Sequence, residues 1–185
     1  RTRSYTTISA EMDDIIFLTD LLICQSQSNA GNQDSRPQAW AKNIVSVGGA
    51  YHRNTLTKSD DAWSGGASIG PAADGRIKPD LTHFYDNILT VSSSTDSSYT
   101  TSFGGTSGAT PITAGHFGLM FQMWHEQIFP GFGGGSSVFD SRPASTTAKA
   151  LMINSAAQYT FSGSGHDLSR VKQGTYKTGI GLSPR

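Results

Sequence analysis

The residues best suited to chemistry are Gly105-Thr106-Ser107-Gly108-Ala109-Thr110-Pro111. A serine hydroxyl is a weak nucleophile at its free pKa, so using it takes an adjacent base, open space for substrate, and donors aimed at the developing oxyanion. Small residues on both sides of Ser107 leave that space. The run from Ile112 to Phe129 is apolar and small enough to bury as a helix. A helix start presents free N–H groups and positive potential, which favour negative charge beside Ser107. The same residues also suit a plain turn and helix cap, since Ser and Thr are preferred there.

Three further blocks decide how the serine is read. Leu21-Leu22-Ile23-Cys24-Gln25-Ser26 has the apolar run of a buried strand and leads into Gln27-Ser28-Asn29-Ala30-Gly31-Asn32. Asp74-Gly75-Arg76-Ile77-Lys78-Pro79-Asp80-Leu81 follows, and Asp167-Leu168-Ser169-Arg170-Val171-Lys172-Gln173-Gly174 lies near the end. Together with Gly105 to Pro111, these blocks resemble, in the same order, the motifs of the subtilases, the subtilisin-like serine peptidases. Each motif alone is weak, and their order is the specific signal. The resemblance covers roughly residues 9 to 174.

The resemblance implies an α/β fold, a parallel β-sheet flanked by helices, with Ser107 as nucleophile and polypeptide as substrate. Ala30-Gly31-Asn32 resembles the family's Ala-Gly-Asn oxyanion loop, so Asn32 is the implied oxyanion donor. Ala30, Gly31, Gly105 and Thr106 are the implied substrate contacts. Gln27 to Asn32 would form one wall of the pocket for the residue before the scissile bond, with Asp34 to Pro37 near its base. No cofactor is required for this chemistry. Structural calcium is common in the family, but the acidic pairs Asp13-Asp14 and Asp60-Asp61 lack a ligand spacing and read as solvated charge. Secretion is implied by the resemblance alone.

The base is the missing piece. Subtilases use Asp, His and Ser in that order, both early members preceding the oxyanion asparagine. The residues before Asn32 include Asp13, Asp14 and Asp20 but no histidine, and His52, His83, His116, His125 and His166 all follow it. His116 sits nine residues past Ser107, more than two helical turns away. His52 and His83 read as polar residues of loops or strand ends. The expectation is a C-terminal portion of one catalytic domain, residues 1–185, with the Asp and His on an N-terminal segment outside this sequence. The competing reading is a peptidase-like module that binds peptide without cleaving it. An α/β-hydrolase is disfavoured, because Gly-x-Ser-x-Gly does not occur.

Composition is consistent with this. Lys plus Arg and Asp plus Glu number 14 each, so no net field holds nucleic acid or an anionic membrane. No apolar run reaches membrane-spanning length. The 21 glycines among 185 residues, with charged residues at 15%, point to tight turns and close backbone approaches. The single cysteine, Cys24, rules out an internal disulfide and reads as an inert core residue.

The elements that must position these residues alternate along the chain. A helix signalled at Ser9-Ala10-Glu11-Met12 leads to a strand at 21–25. A helical turn at 37–42 precedes a β-branched strand at 43–49. Residues 53–78 form a long connection, of a kind that is usually functional or surface-covering. A strand at 88–91 and a Ser/Thr-rich loop or hairpin deliver the chain to the serine. A Gly/Ser loop at 131–137 and a second helix over 144–157 follow.

Overall fold

A computed structural model of the chain describes residues 1–63, 65–156, 158–159 and 176–177. Helix α1 spans Thr7–Thr19, two residues earlier than Ser9 suggested. Ser9 is the third helical residue, where its hydroxyl accepts the Thr6 N–H at 3.1 Å and donates to the Pro37 carbonyl at 2.6 Å. Asp20 ends the helix in the left-handed conformation. Its carboxylate accepts the Ser145 N–H at 2.8 Å and so caps a helix far along the chain.

Three strands form the central sheet: β1 Cys24–Ser26, β2 Val45–Ala50 and β3 Leu81–Phe84. They lie in the order β1-β2-β3, parallel, with Cys24 opposite Val45 and Val47 opposite Leu81. All six residues of β2 are buried, the pattern of a parallel strand covered on both faces. His83 falls inside β3 rather than after it, and is buried. Between β1 and β2 the chain makes a 3-10 turn at Pro37–Trp40, opened by the proline whose fixed φ suits that position.

Strand β4, Ile88–Val91, does not join this sheet. It pairs antiparallel with β5, Tyr99–Phe103, as a separate hairpin. Helix α2 spans Thr106–His125 and α3 spans Ser145–Ser155. The main core gathers Val45, Val47, Leu81, Phe117, Ala148 and Met152, closing α2 and α3 against the sheet. Cys24 is half-buried at its margin, and that burial pushes its thiol up to about 12. The short strands β6 Gln158–Tyr159 and β7 Tyr176–Lys177 pair antiparallel. The Asp167 to Gly174 block lies outside the described residues.

Candidate active site

The serine sits inside the first turn of its helix and not at the cap position the motif suggested. α2 begins at Thr106, with Gly105 as N-cap, so Ser107 is the second helical residue and is exposed. Its N–H is among the donors that a first helical turn leaves without an intrahelical partner. Two glycines let the loop reach this position. A Cβ on Gly104 would lie 2.3 Å from the Tyr85 carbonyl oxygen. Gly105 has φ +80°, where L side chains are strained, and a Cβ there would meet the Asn29 amide nitrogen at 3.0 Å. The Gly105 N–H donates to the Tyr85 carbonyl at 2.6 Å, fastening the loop to the end of β3.

The asparagine brought to this loop is Asn29. Its Oδ1 accepts both the Thr106 N–H and the Thr106 hydroxyl, each at 2.9 Å. With Oδ1 held by a residue that is 1% exposed, the amide has one orientation, and its Nδ2 hydrogens have no acceptor among the described residues. Asn29 itself is exposed. Two donors, the Asn29 Nδ2 and the Ser107 N–H, are thus carried on adjoining segments at one sheet edge.

Asn32 does not sit there, contrary to the expectation from the Ala-Gly-Asn spelling. Its Oδ1 accepts the Asp34 N–H at 2.8 Å and its carbonyl accepts the Ile69 N–H at 2.9 Å. The reason is the turn between the two asparagines. Gly31 has φ +66°, and a Cβ there would lie 2.1 Å from the Gly65 carbonyl oxygen, so this turn packs against the 53–78 connection, whose Ile69 N–H also donates to the Asn32 carbonyl. Ala30 and Gly31 stay in this loop, where the Ala30 N–H donates to Ser68 Oγ at 3.0 Å. Ser68 Oγ in turn donates to the Asp34 carbonyl at 2.8 Å, so the long connection over 53–78 serves as a brace beneath the Asn29 loop. Distance from the strand end was the usable signal. Asn29 is three residues past β1, before the turn, whereas Asn32 follows it.

No histidine among the described residues bonds to Ser107. His52 pairs with Asp86 at 2.9 Å, His83 stacks on His116 with centroids 5.3 Å apart, and His125 meets Ser141 at 2.6 Å. His166 lies outside the described residues. The acidic pairs are not simple solvated charge either. Asp13 is buried and accepts from Tyr5, from the Lys42 N–H and from the Asn43 N–H, while Asp60 accepts from Thr55. A carboxylate surrounded by donors is the reverse of a cation cage. No group of three or more His, Cys, Asp or Glu that could hold a metal occurs among the described residues. No described helix is long and apolar enough to cross a membrane.

Comparison with known proteins places this geometry. The model of the subtilase family matches residues 7–177. The chain belongs to the subtilase family. The serine protease AprX of Bacillus subtilis (strain 168) is 30% identical over 116 residues, covering 55% of this chain and 26% of AprX. Among solved structures, the prenylagaramide maturation protease PagA superposes with a TM-score of 0.61 at 16% identity, covering 85% of this chain and 48% of PagA. The patellamide maturation protease PatA gives a TM-score of 0.57 at 16% identity, covering 81% of this chain and 46% of PatA. The fold is subtilisin-like, and the subtilase chain described here spans about a quarter of AprX and just under half of the two solved proteases.

Proposed function

We propose that this subtilase chain is the C-terminal portion of a serine endopeptidase domain, carrying its nucleophile and oxyanion hole. Ser107 Oγ attacks the scissile carbonyl carbon, and a histidine outside these 185 residues, held by an aspartate on the same outside segment, takes the hydroxyl proton. The oxyanion sits between the Asn29 Nδ2 and the Ser107 N–H. The tetrahedral intermediate then expels the amine, which receives the proton from that histidine, and water releases the acid from the acyl-serine. The observation that supports this most is the pair of hydrogen bonds that Thr106 donates to the Asn29 Oδ1, which leaves the amide hydrogens of Asn29 free to donate elsewhere before any substrate arrives. Preorganised donors of this kind are among the largest contributions to acyl transfer.

Polypeptide is the proposed substrate, with Gly105, Ala30 and Gly31 beside its approach; Thr106, 1% exposed, holds Asn29 instead of touching substrate. Secretion and structural calcium rest on family resemblance. The test is a fluorophosphonate probe applied to the protein with the residues that precede Arg1. Labelling of Ser107 is expected, together with peptide hydrolysis that Ser107→Ala lowers by about 10⁶-fold in kcat, the loss known for subtilisin. An unlabelled, folded protein would overturn the peptidase reading in favour of a catalytically inactive module for peptide binding or assembly.

A further inference from the structure

Asp86 gathers more donors than any other carboxylate near the serine. It lies in the connector between β3 and β4. One oxygen accepts the His52 N–H at 2.8 Å and the His52 ring Nδ1 at 2.9 Å. The other accepts the Arg53 N–H at 3.0 Å and the Asn87 side-chain amide at 2.9 Å. Both side chains of the His52–Asp86 pair are largely buried, at 11% and 15% exposure, and the imidazole stacks on Phe84 with centroids 4.2 Å apart.

The backbone around this carboxylate is strained on both sides. Arg53, Asn54 and Asn87 have φ of +54°, +55° and +52°, the left-handed region that L residues visit at a cost. The Thr55 N–H closes the turn onto the His52 carbonyl at 3.1 Å. Such conformations persist only where surrounding bonds over-determine them, and they cluster at functional sites. Charge-assisted hydrogen bonds are strong enough to hold them.

The connector leads directly to the nucleophile. Tyr85, next to Asp86, donates its N–H to the Ala50 carbonyl at 2.9 Å and accepts the Gly105 N–H at 2.6 Å. We propose that Asp86 is a positioning residue for the serine loop: its carboxylate locks the His52–Thr55 turn to the β3–β4 connector, and the Tyr85 carbonyl of that connector holds Gly105. His52 serves as the ring donor of this clasp. The catalytic consequence rests on the proposed function, whereas the restraint on Gly105 does not.

The experiment uses the protein with the residues that precede Arg1 and reads two quantities: amide hydrogen exchange at Gly105, and the rate of fluorophosphonate labelling. Asp86→Ala is expected to speed Gly105 exchange and slow labelling, each by about tenfold or more, the scale of losing charge-assisted bonds. Asp86→Asn keeps one acceptor and falls between Ala and the natural residue. His52→Asn, whose amide replaces the Nδ1 donor, is expected to outperform His52→Leu in both readouts. The core amides of Val47 and Phe117 should not change. Unchanged Gly105 exchange in Asp86→Ala overturns the proposal, as does a rise shared equally with Val47 and Phe117. If Asp86→Ala does not fold, Asp86→Asn and the His52 pair decide by the same comparison. Equal and complete loss of labelling in His52→Asn and His52→Leu, with Gly105 exchange intact, would make His52 a base and overturn the positioning role. If the natural protein is not labelled, the peptidase reading fails, and Gly105 exchange alone still judges the clasp.

Discussion

The two ends of the same parallel strands are built to opposite rules. At the carboxyl ends stand an exposed serine, an exposed asparagine whose amide hydrogens have no acceptor among the described residues, and left-handed residues around Asp86. At the amino ends lies a buried charge cluster. Lys78 is 2% exposed and reaches Asp80 at 2.7 Å, Lys149 of α3 reaches the same carboxylate at 3.2 Å, and the Ser46 N–H and hydroxyl bond to it at 2.9 and 3.0 Å. Lys149 also donates to the Ile44 carbonyl at 2.6 Å. One end keeps donors in reserve and tolerates strain; the other is tied together by salt bridges and hydrogen bonds. The satisfied end anchors β2, β3 and α3, which lets the carboxyl end hold an unfavourable geometry. Ligand sites lie at the carboxyl ends of such strands for the same topological reason.

The sharpest way to break the comparison is to exchange the roles of two asparagines. Asn29→Ala is expected to lower kcat by about 10²–10³-fold with little change in KM, a magnitude taken from a subtilisin oxyanion asparagine. Asn32→Ala should leave kcat within about twofold, because it loses only an Asx turn. Steady-state peptide hydrolysis separates the two, and a larger loss at Asn32 would return the oxyanion role to it.

At the other end the expected loss is in stability. Asp80→Asn leaves two cations facing each other in a buried setting, and should cost about 3 kcal/mol, read as a lower urea midpoint. Labelling per folded molecule should stay near the natural rate. A selective loss of labelling without a shift in midpoint would show that the ends are not separable.

Lys78 adds a pH signature to the same end. Burial, opposed by the charge of Asp80, lowers its pKa from the ordinary lysine value to about 8. The unfolded chain therefore holds this proton more tightly than the folded one. The resulting penalty is fully present below about pH 8 and is relieved as pH rises from about 8 toward the unfolded lysine value. Stability is expected to gain up to about 3 kcal/mol across that window, and Lys78→Met should flatten the rise. Denaturant midpoints against pH measure it.

The smallest expected effect concerns Gln27, which is fully buried beneath the Asn29 loop with neither amide atom hydrogen-bonded among the described residues. An orphaned polar group costs more than an apolar one of similar shape. Gln27→Leu should therefore raise stability by about 1 kcal/mol or leave it level, read from the urea midpoint. A marked loss would assign the amide a partner in the complete domain.

Much of the fold was legible from local pattern. The strands near 24, 45 and 88, the 3-10 turn at Pro37 and both long helices follow from apolar runs, proline placement and caps that act over a few residues. The separation of β4 into its own hairpin was not legible, because a short alternating run reads the same in either sheet. Nor was the start of α2, since Thr106 and Ser107 favour caps and turns as well as a first helical turn. At the candidate site, the exposed placement of Ser107 in the first turn of α2 was legible because small residues around a hydroxyl are a local property. Which asparagine meets α2 was not legible, because Asn29 and Asn32 sit in one polar loop and only the fold pairs Asn29 with Thr106 while Asn32 bonds within its own turn.

By its sequence alone, this chain determined its family, its candidate serine and its parallel α/β plan. Those are matters of residue identity, order and short-range pattern. Tertiary structure alone decided that Asn29 accepts from Thr106 at the head of α2, that Ser68 of the 53–78 connection bonds to the loop carrying Asn29, and that Asp86 holds the His52 turn. Each joins segments more than thirty positions apart, and such pairings depend on where sheet and turns carry the chain, which no local pattern encodes.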